Sequence, residues 1–392
     1  MNFCAVICEY NPFHNGHAYQ LKTIKEKKEF DGILCLMSGN FTQRGEGAIF
    51  SKYERARHAV ENGADAVLEL PALFSVAPAE IFARGAVKIL ASVPAVKALA
   101  FGCESGTKED FLRAGRALSD EGKEFKATLK ENMKQGDSYK VAKTKTVLAL
   151  NADVDEATLT APNNLLGVQY VSSILAEKSN IEPLPIERVG SGYADCAPKK
   201  NFSSASALRQ CIRTGAKRDR KILKSNLPKS VYFRAAEFSP APFEVAFLSA
   251  LARADAEELA LCPDCTEGLE NRLLSLFKSN PSYEELLNKI ANKRYTLSRL
   301  KRILAQNLLK ITRKAVKEAL ESPLYYKVLA VKKDGGFLEA LSEGAFPLIT
   351  RRSDAVNLKG AALDCFLTDV RGVDVYGAIT GKRDNEYETL FL

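Results

Sequence analysis

Three histidines occur in the 392 residues, and two of them stand three apart in Asn11-Pro12-Phe13-His14-Asn15-Gly16-His17. Imidazoles at i and i+3 across a strand-to-helix turn point to one side, and Gly16 between them lets a phosphate or an adenine approach the backbone. A helix starting here adds free N–H groups and the positive end of its dipole. The chemistry these residues suit is therefore the binding of a phosphate and the neutralisation of charge developing on it. A bare H-x-G-H string is more often a turn with solvated histidines. This one gains weight because it follows an apolar run, residues 3–8, that reads as the first strand of an α/β sheet. A second group stands far along the chain, Phe202-Ser203-Ser204-Ala205-Ser206-Ala207-Leu208-Arg209. Serine hydroxyls and amides at a helix start, with an arginine a turn later, can converge on phosphate oxygens. Alone the string is equally a serine-rich cap.

Apolar runs alternate with helix-like stretches through the first two hundred residues, the pattern of parallel βαβ units. Strands are expected at residues 3–8, 32–37, 66–70, 96–101 and 184–189. Helices are expected at 17–29, 51–62, 78–91 and 163–177, with Ser51 an N-cap and Gly63 a stop. Ligands in such a sheet bind at the carboxyl ends of the strands, here the loops 9–17, 38–45 and 102–106. The expected fold is α/β, a doubly wound parallel sheet over residues 1–210, followed by a mainly helical, basic domain over 211–392 with no strong strand until 325–331. Between Lys289 and Lys317 ten lysines and arginines occur without an acid, while Leu297, Leu300, Leu304, Leu308 and Ile311 keep helical spacing. One long helix with basic faces is expected. Such a face is either a solvated surface or the footprint of a phosphate backbone, and the missing glutamates favour the second.

Composition narrows the class further. Hydrophobic residues make up 46% and charged residues 27%, ordinary for a globular protein, and no apolar run approaches the roughly 18–20 residues of a membrane span. The apolar N-terminus lacks a basic flank and reads as a buried strand, not a signal peptide. Nine cysteines suit no disulfide framework, and Cys4, Cys8, Cys35 and Cys103 sit in strand-like runs, so a reducing, cytoplasmic setting is expected. Cys262-Pro263-Asp264-Cys265 lacks the second pair or nearby histidine of a zinc site, and no metal ligands are assigned. A net charge of +8 and a pI near 8.9 suit a polyanionic partner without choosing between RNA, a nucleotide and mere solubility.

The H-x-G-H turn and the late Ser203–Arg209 group together resemble the HIGH-type nucleotidyltransferase superfamily. More narrowly, the chain resembles the bacterial tRNA(Met) cytidine acetate ligase family. The resemblance rests on Cys8-Glu9-Tyr10-Asn11-Pro12-Phe13-His14-Asn15-Gly16-His17, on Ser-Gly-Asn-Phe-Thr-Gln-Arg-Gly-Glu at 38–46, on Ala161-Pro162-Asn163-Asn164-Leu165-Leu166-Gly167, and on Arg188-Val189-Gly190-Ser191-Gly192-Tyr193. It is sharp to about Arg209 and looser beyond, where Arg294-Tyr295-Thr296-Leu297-Ser298-Arg299 is similar. The resemblance implies an ATP-dependent ligase in which acetate attacks the α-phosphate, giving acetyl-adenylate and pyrophosphate. The acetyl group then passes to N4 of the wobble cytidine of elongator tRNA(Met). It implies His14 and His17 as catalytic residues and ATP contacts at Ile7 to Gln20 (thus also Ala18, Tyr19 and Gln20), Gly102, Asn163 and Arg188, with Mg2+ on the phosphates. Ser203, Ser204 and Arg209 are candidate phosphate contacts, Gln43 and Arg44 candidate contacts to acetate or the cytidine, and Arg294, Arg299, Arg302 and Arg313 candidate tRNA contacts. Rival readings stay open at several positions: Gly102 as a turn glycine, Asn164 instead of Asn163 as the nucleotide contact, Arg188 as a surface charge. So do rival functions: an adenylyltransferase of coenzyme biosynthesis, an RNA-binding protein with a vestigial pocket, and, third, an aminoacyl-tRNA synthetase.

Overall fold

The computed structural model describes residues 1–119, 122–137, 139–188, 203–217, 219–236, 243–279, 282–382 and 384–392. Five apolar runs form parallel strands: β1 (Phe3–Cys8), β2 (Gly32–Ser38), β3 (Ala66–Leu70), β4 (Val96–Cys103) and β5 (Glu182–Glu187). Central strands of such a sheet are covered on both faces, which is why β2 reads as an unbroken run buried at every residue. One face packs Ala5, Leu34 and Leu99 under the helices Ala79–Ala91 and Pro162–Ala176. The other packs Cys4, Val6 and Cys35 under Asn15–Glu26, Lys52–Glu61 and Ala205–Thr214. Ser51 caps its helix by accepting the Glu54 N–H at 3.4 Å, and Gly63 takes φ +124° just after its end.

The strand order β5-β4-β1-β2-β3 sets β1 between β2 and β4. The chain builds outward through β2 and β3, then returns to add β4 and β5 on the opposite side. A crevice therefore opens at the carboxyl ends of β1 and β4.

Two expectations need correction. The sheet continues past residue 210, because β6 (Tyr326–Val331) pairs antiparallel with β3, and β7 (Leu348–Ile349) and β8 (Leu390–Phe391) pair with β6. The fold is thus a mostly parallel sheet with flanking helices and a helical C-terminal region that returns to the sheet. The basic segment is also not one helix. It divides into Leu297–Leu309 and Arg313–Glu321, with Lys310 left-handed at φ +55° between them. Thr296 and Thr312 act as N-caps, accepting the Arg299 and Ala315 N–H groups, and restart the chain each time. Val189 of the last expected strand lies outside the described residues.

Candidate active site

At the end of β1 the chain turns through Tyr10, at φ +45°, and a cis Asn11–Pro12 bond into the helix Asn15–Glu26. His14 is the N-cap: its Nδ1 accepts the Gly16 N–H at 3.0 Å, and its own N–H donates to His17 Nδ1 at 3.2 Å. The two rings stack with centroids 3.7 Å apart. Because each Nδ1 is an acceptor, each neutral ring carries its proton on Nε2, the atom left for a ligand. Burial, reinforced by Arg188 and Arg209, holds His14 down at about 3. Burial, His14 and Arg188 hold His17 well below its ordinary range. Both are therefore neutral N–H donors at neutral pH. Gly16 is required by His14 itself, since a Cβ there would lie 2.9 Å from the His14 ring.

These residues open on a cavity of about 270 Å3 at the β1/β4 crevice. Ile7, Cys8, Glu9, Tyr10, Asn11, His14, Gly16, His17, Tyr19 and Gln20 line it. Pro12, Phe13, Asn15 and Ala18 are not on its wall. Phe13 is buried against Tyr10, ring centroids 4.8 Å apart, Asn15 Nδ2 donates to the Ser225 carbonyl at 2.9 Å, and Ala18 packs on the adjoining core.

Across the crevice, Arg188 reaches over Gly102, where a Cβ would come within 3.2 Å of Arg188 Cγ. Its Nη1 donates to Asn163 Oδ1 at 3.2 Å, and Asn163 Nδ2 donates to Glu104 at 2.5 Å. All three residues Gly102, Asn163 and Arg188 are on the cavity wall. Asn164 is fully buried behind them, accepting the Glu104 N–H at 2.8 Å and donating to the Ser105 carbonyl at 3.0 Å, so it shapes the loop after β4. Val189, Gly190, Ser191, Gly192, Tyr193 and Phe202 lie outside the described residues.

Ser203, Ser204 and Arg209 close a third side. Ser204 caps the helix Ala205–Thr214 by accepting the Ala207 N–H at 3.2 Å, and the Ser203 N–H donates to Asn226 at 2.6 Å. Arg209 donates to the Asn11 carbonyl at 2.9 Å and to Ser206 Oγ at 3.0 Å; Arg44 donates to the same hydroxyl at 3.2 Å. Gln43 also lines the cavity, and its backbone N–H donates to Glu9 Oε1 at 2.7 Å. The assembly offers two imidazole N–H donors, a helix N-terminus and two arginines to one polyphosphate, preorganised stabilisation for charge developing on phosphorus.

Sequence reasoning missed part of the site. Phe82, Phe101, Leu166, Tyr170, Ile186 and Glu187 also line the cavity, and as ordinary members of strand and helix faces they gave no local sign. Arg55 was likewise silent. It is fully buried and donates to the carbonyls of Phe50 (3.0 Å), Glu9 (2.5 Å) and Gly39, tying together the loops after β1 and β2.

The basic C-terminal candidates are differently placed. Arg302 is buried on Asp264, with contacts of 2.9 and 2.8 Å, which removes it from the exposed face expected of it. Arg299 donates to the Asp264 carbonyl and Thr266, Arg294 pairs with Glu267 at 2.7 Å while staying exposed, and Arg313 donates to the carbonyls of Cys265 and Ala260. Their partners belong to the Cys262–Cys265 turn and its flank. Burial pushes both of those thiols up to about 12.

The HIGH Nucleotidyl Transferase family model matches residues 1–389. The tRNA(Met) cytidine acetate ligase of Clostridium novyi (strain NT) is 38% identical over 322 residues, 78% of each chain, and that of Clostridium acetobutylicum is 34% identical over 381 residues, 93% of each. Among solved structures, apo Thermotoga maritima TmcAL matches over the full length of both chains with a TM-score of 0.92 at 28% identity. The form of TmcAL bound with alpha-thio ATP also matches throughout, at 0.88. No helix among the described residues is long and apolar enough to cross a membrane. With its paired imidazoles at the switch point of the sheet, the chain belongs to the HIGH nucleotidyl transferase family and, within it, to the tRNA(Met) cytidine acetate ligases.

Proposed function

We propose that this site activates acetate with MgATP and passes the acetyl group to N4 of the wobble cytidine of elongator tRNA(Met). The observation that carries the reading is the stacked His14–His17 pair, whose Nδ1 atoms are taken by backbone N–H groups and whose Nε2–H donors are left for the cavity beside Arg188 and Arg209. An acetate oxygen attacks the α-phosphorus, the bond to the bridging oxygen breaks, and pyrophosphate leaves toward Ser203, Ser204 and Arg209. The imidazoles and Arg188 share the charge that builds on the α-phosphate. In the second step the cytidine N4 attacks the acetyl carbonyl, loses a proton, and releases AMP. Gly102 and Asn163 hold the nucleoside side of ATP, and Gln43 and Arg44 face the incoming base.

Magnesium arrives with the nucleotide. Among the described residues no three carboxyl, imidazole or thiol groups gather to hold a cation, and the cavity offers the separate carboxylates Glu9 and Glu187. Phosphate oxygens and water supply the remaining ligands such an ion needs. The buried, protonated thiols suit the reducing cytoplasm, where tRNA is found. Of the four arginines, exposed Arg294 is the one we assign to tRNA, with Arg299 and Arg313 shaping the surface beside it.

The test is to incubate the protein with MgATP, labelled acetate and unmodified elongator tRNA(Met), digest the tRNA, and look for N4-acetylcytidine at the wobble position. Label there is the expected result. No label, with a coenzyme precursor such as NMN or phosphopantetheine adenylylated in a parallel tube, overturns the reading in favour of a coenzyme-forming transferase.

A further inference from the structure

The cavity spans the carboxyl edge of the sheet, and its two halves differ in chemistry. On the side of the helix Asn15–Glu26 lie the charged and imidazole groups that suit phosphates. On the other side, beneath the helices Ala79–Ala91 and Pro162–Ala176, the wall runs from Asn163 at the start of the second helix to the apolar or aromatic Phe82, Phe101, Leu166 and Tyr170. Tyr170 is 3% exposed, yet its hydroxyl has no hydrogen-bond partner among the described residues while its side chain lines the cavity. The hydroxyl is not sealed from the cavity, and a ligand oxygen there can accept its hydrogen bond.

The wall is rigid. Gly167 is what lets its helix lie on Phe101, since a Cβ there would come within 2.5 Å of that ring. Phe101 packs edge-on against Phe111, with centroids 4.9 Å apart, and lies 6.1 Å from Tyr170. Burial first, then the neighbouring Glu9 carboxyl and Cys8 thiol, push the Tyr170 phenol well above its ordinary range, so it keeps its proton and can only donate to an anion.

Position agrees with chemistry. A nucleophile that displaces pyrophosphate attacks the α-phosphorus in line, from the side opposite the leaving group. With pyrophosphate held on the Arg209 side of the sheet edge, that approach comes from the Tyr170 half. We infer that this half is the pocket for the acid being activated, the Tyr170 hydroxyl donating to its carboxylate and Phe82 and Leu166 forming the wall that its alkyl end meets. The inference rests on the acid-activation reading above and names where the acid sits and what its alkyl end meets.

The experiment is acid-dependent ATP–pyrophosphate exchange with acetate, propionate and butyrate, comparing wild type, Tyr170→Phe, Phe82→Ala and Leu166→Ala. Tyr170→Phe, which keeps the ring, is expected to raise the acetate KM about tenfold with the ATP KM unchanged, the signature of a lost contact to one substrate. Phe82→Ala and Leu166→Ala are expected to shift kcat/KM toward propionate or butyrate over acetate by about tenfold or more. An ATP KM that rises instead in Tyr170→Phe assigns the pocket to the nucleobase and overturns the inference. So does an acetate KM that does not move while wild type exchanges normally. Wild type that exchanges with none of the acids removes the acid-activation reading itself, and the pocket with it.

Discussion

Arg302 separates a basic helix that binds RNA from one that holds the fold. Its guanidinium meets both oxygens of Asp264, with side chains 10% and 4% exposed, and Gln306 donates to the same carboxylate at 2.7 Å. Arg302→Ala leaves that carboxylate charged and buried with one amide for company. Breaking a buried pair from one side costs about 3–5 kcal/mol. With an unfolding entropy of about 2.1 cal/mol/K per residue, the whole chain gives roughly 0.8 kcal/mol/K, so the melting temperature should fall about 4–6 °C. Replacing both partners, Arg302→Leu with Asp264→Leu, should recover most of the loss, because no stranded charge remains. Arg294→Ala breaks only an exposed pair with Glu267, 63% and 38% exposed, and should cost about 0–1 kcal/mol, a shift near 1 °C. Calorimetric melting, with tRNA affinity titrated against salt, gives both readouts. Arg294→Ala should lower the salt slope by about one while Arg302→Ala leaves the slope alone at temperatures where it is folded. Arg302→Ala that melts with wild type and loses about one unit of salt slope would refute the buried-pair argument.

His14→Ala and His17→Ala should each slow adenylate formation by about two to three orders of magnitude with the circular dichroism spectrum unchanged, as expected for losing a donor to a developing oxyanion; wild-type pyrophosphate release by either variant contradicts the role given to that ring. Asn163→Ala should raise the ATP KM with little change in melting, whereas Asn164→Ala should destabilise by about 1–3 kcal/mol by orphaning the Glu104 N–H and Ser105 carbonyl; equal effects on both readouts would erase the distinction. His58 is fully buried with neither ring nitrogen hydrogen-bonded, and burial, then Arg234, Arg55 and Arg57, hold it down at about 3. Its folded value lies below its unfolded one, so its contribution is intact above about pH 6.5 and is lost as pH falls toward 3. Between pH 8 and pH 5 this amounts to about 2 kcal/mol, and urea unfolding of His58→Gln should show an acid loss smaller by that amount; an unchanged pH difference would sink the assignment.

The elements nearest the chemistry were legible because their signals are local. An unbroken apolar run is a covered strand, a serine before a helical period is a cap, and two histidines about a glycine after the first strand mark a turn that opens on the cavity. What was not legible depends on partners distant in sequence. Residues 326–331 read as a strand, but nothing in them announces antiparallel pairing with β3, some 260 residues earlier. Tyr170 and Phe82 are ordinary core residues of their helices until the sheet order puts both at one crevice. The segment 289–317 looked like an RNA footprint because it holds no acid of its own, and its acids, Asp264, Glu267 and Glu46, come from elsewhere.

Glu46 shows what that displacement accomplishes. It sits on the loop after β2, where it meets Lys301 at 2.6 Å on one side and lies 3.7 Å from Arg209 on the other. One residue earlier, Gly45 at φ +72° packs so closely on the basic helix that a Cβ would fall 2.4 Å from the Arg302 nitrogen, and Arg302 Nη1 reaches the Gln43 carbonyl at 3.4 Å. The loop that lines the cavity with Gln43 and Arg44 is thus seated on the C-terminal half by cations of the basic segment, one of which, Arg302, sequence reading assigned to tRNA. A carboxylate shared by Lys301 and Arg209 fixes that arginine on the cavity wall, where in the proposed reaction it faces the leaving pyrophosphate and little displacement is tolerated. The basic helix therefore acts first as a support for the loop after β2, and in the proposed function the surface left for RNA is what remains exposed beside it, Arg294 and its neighbours rather than the whole stripe.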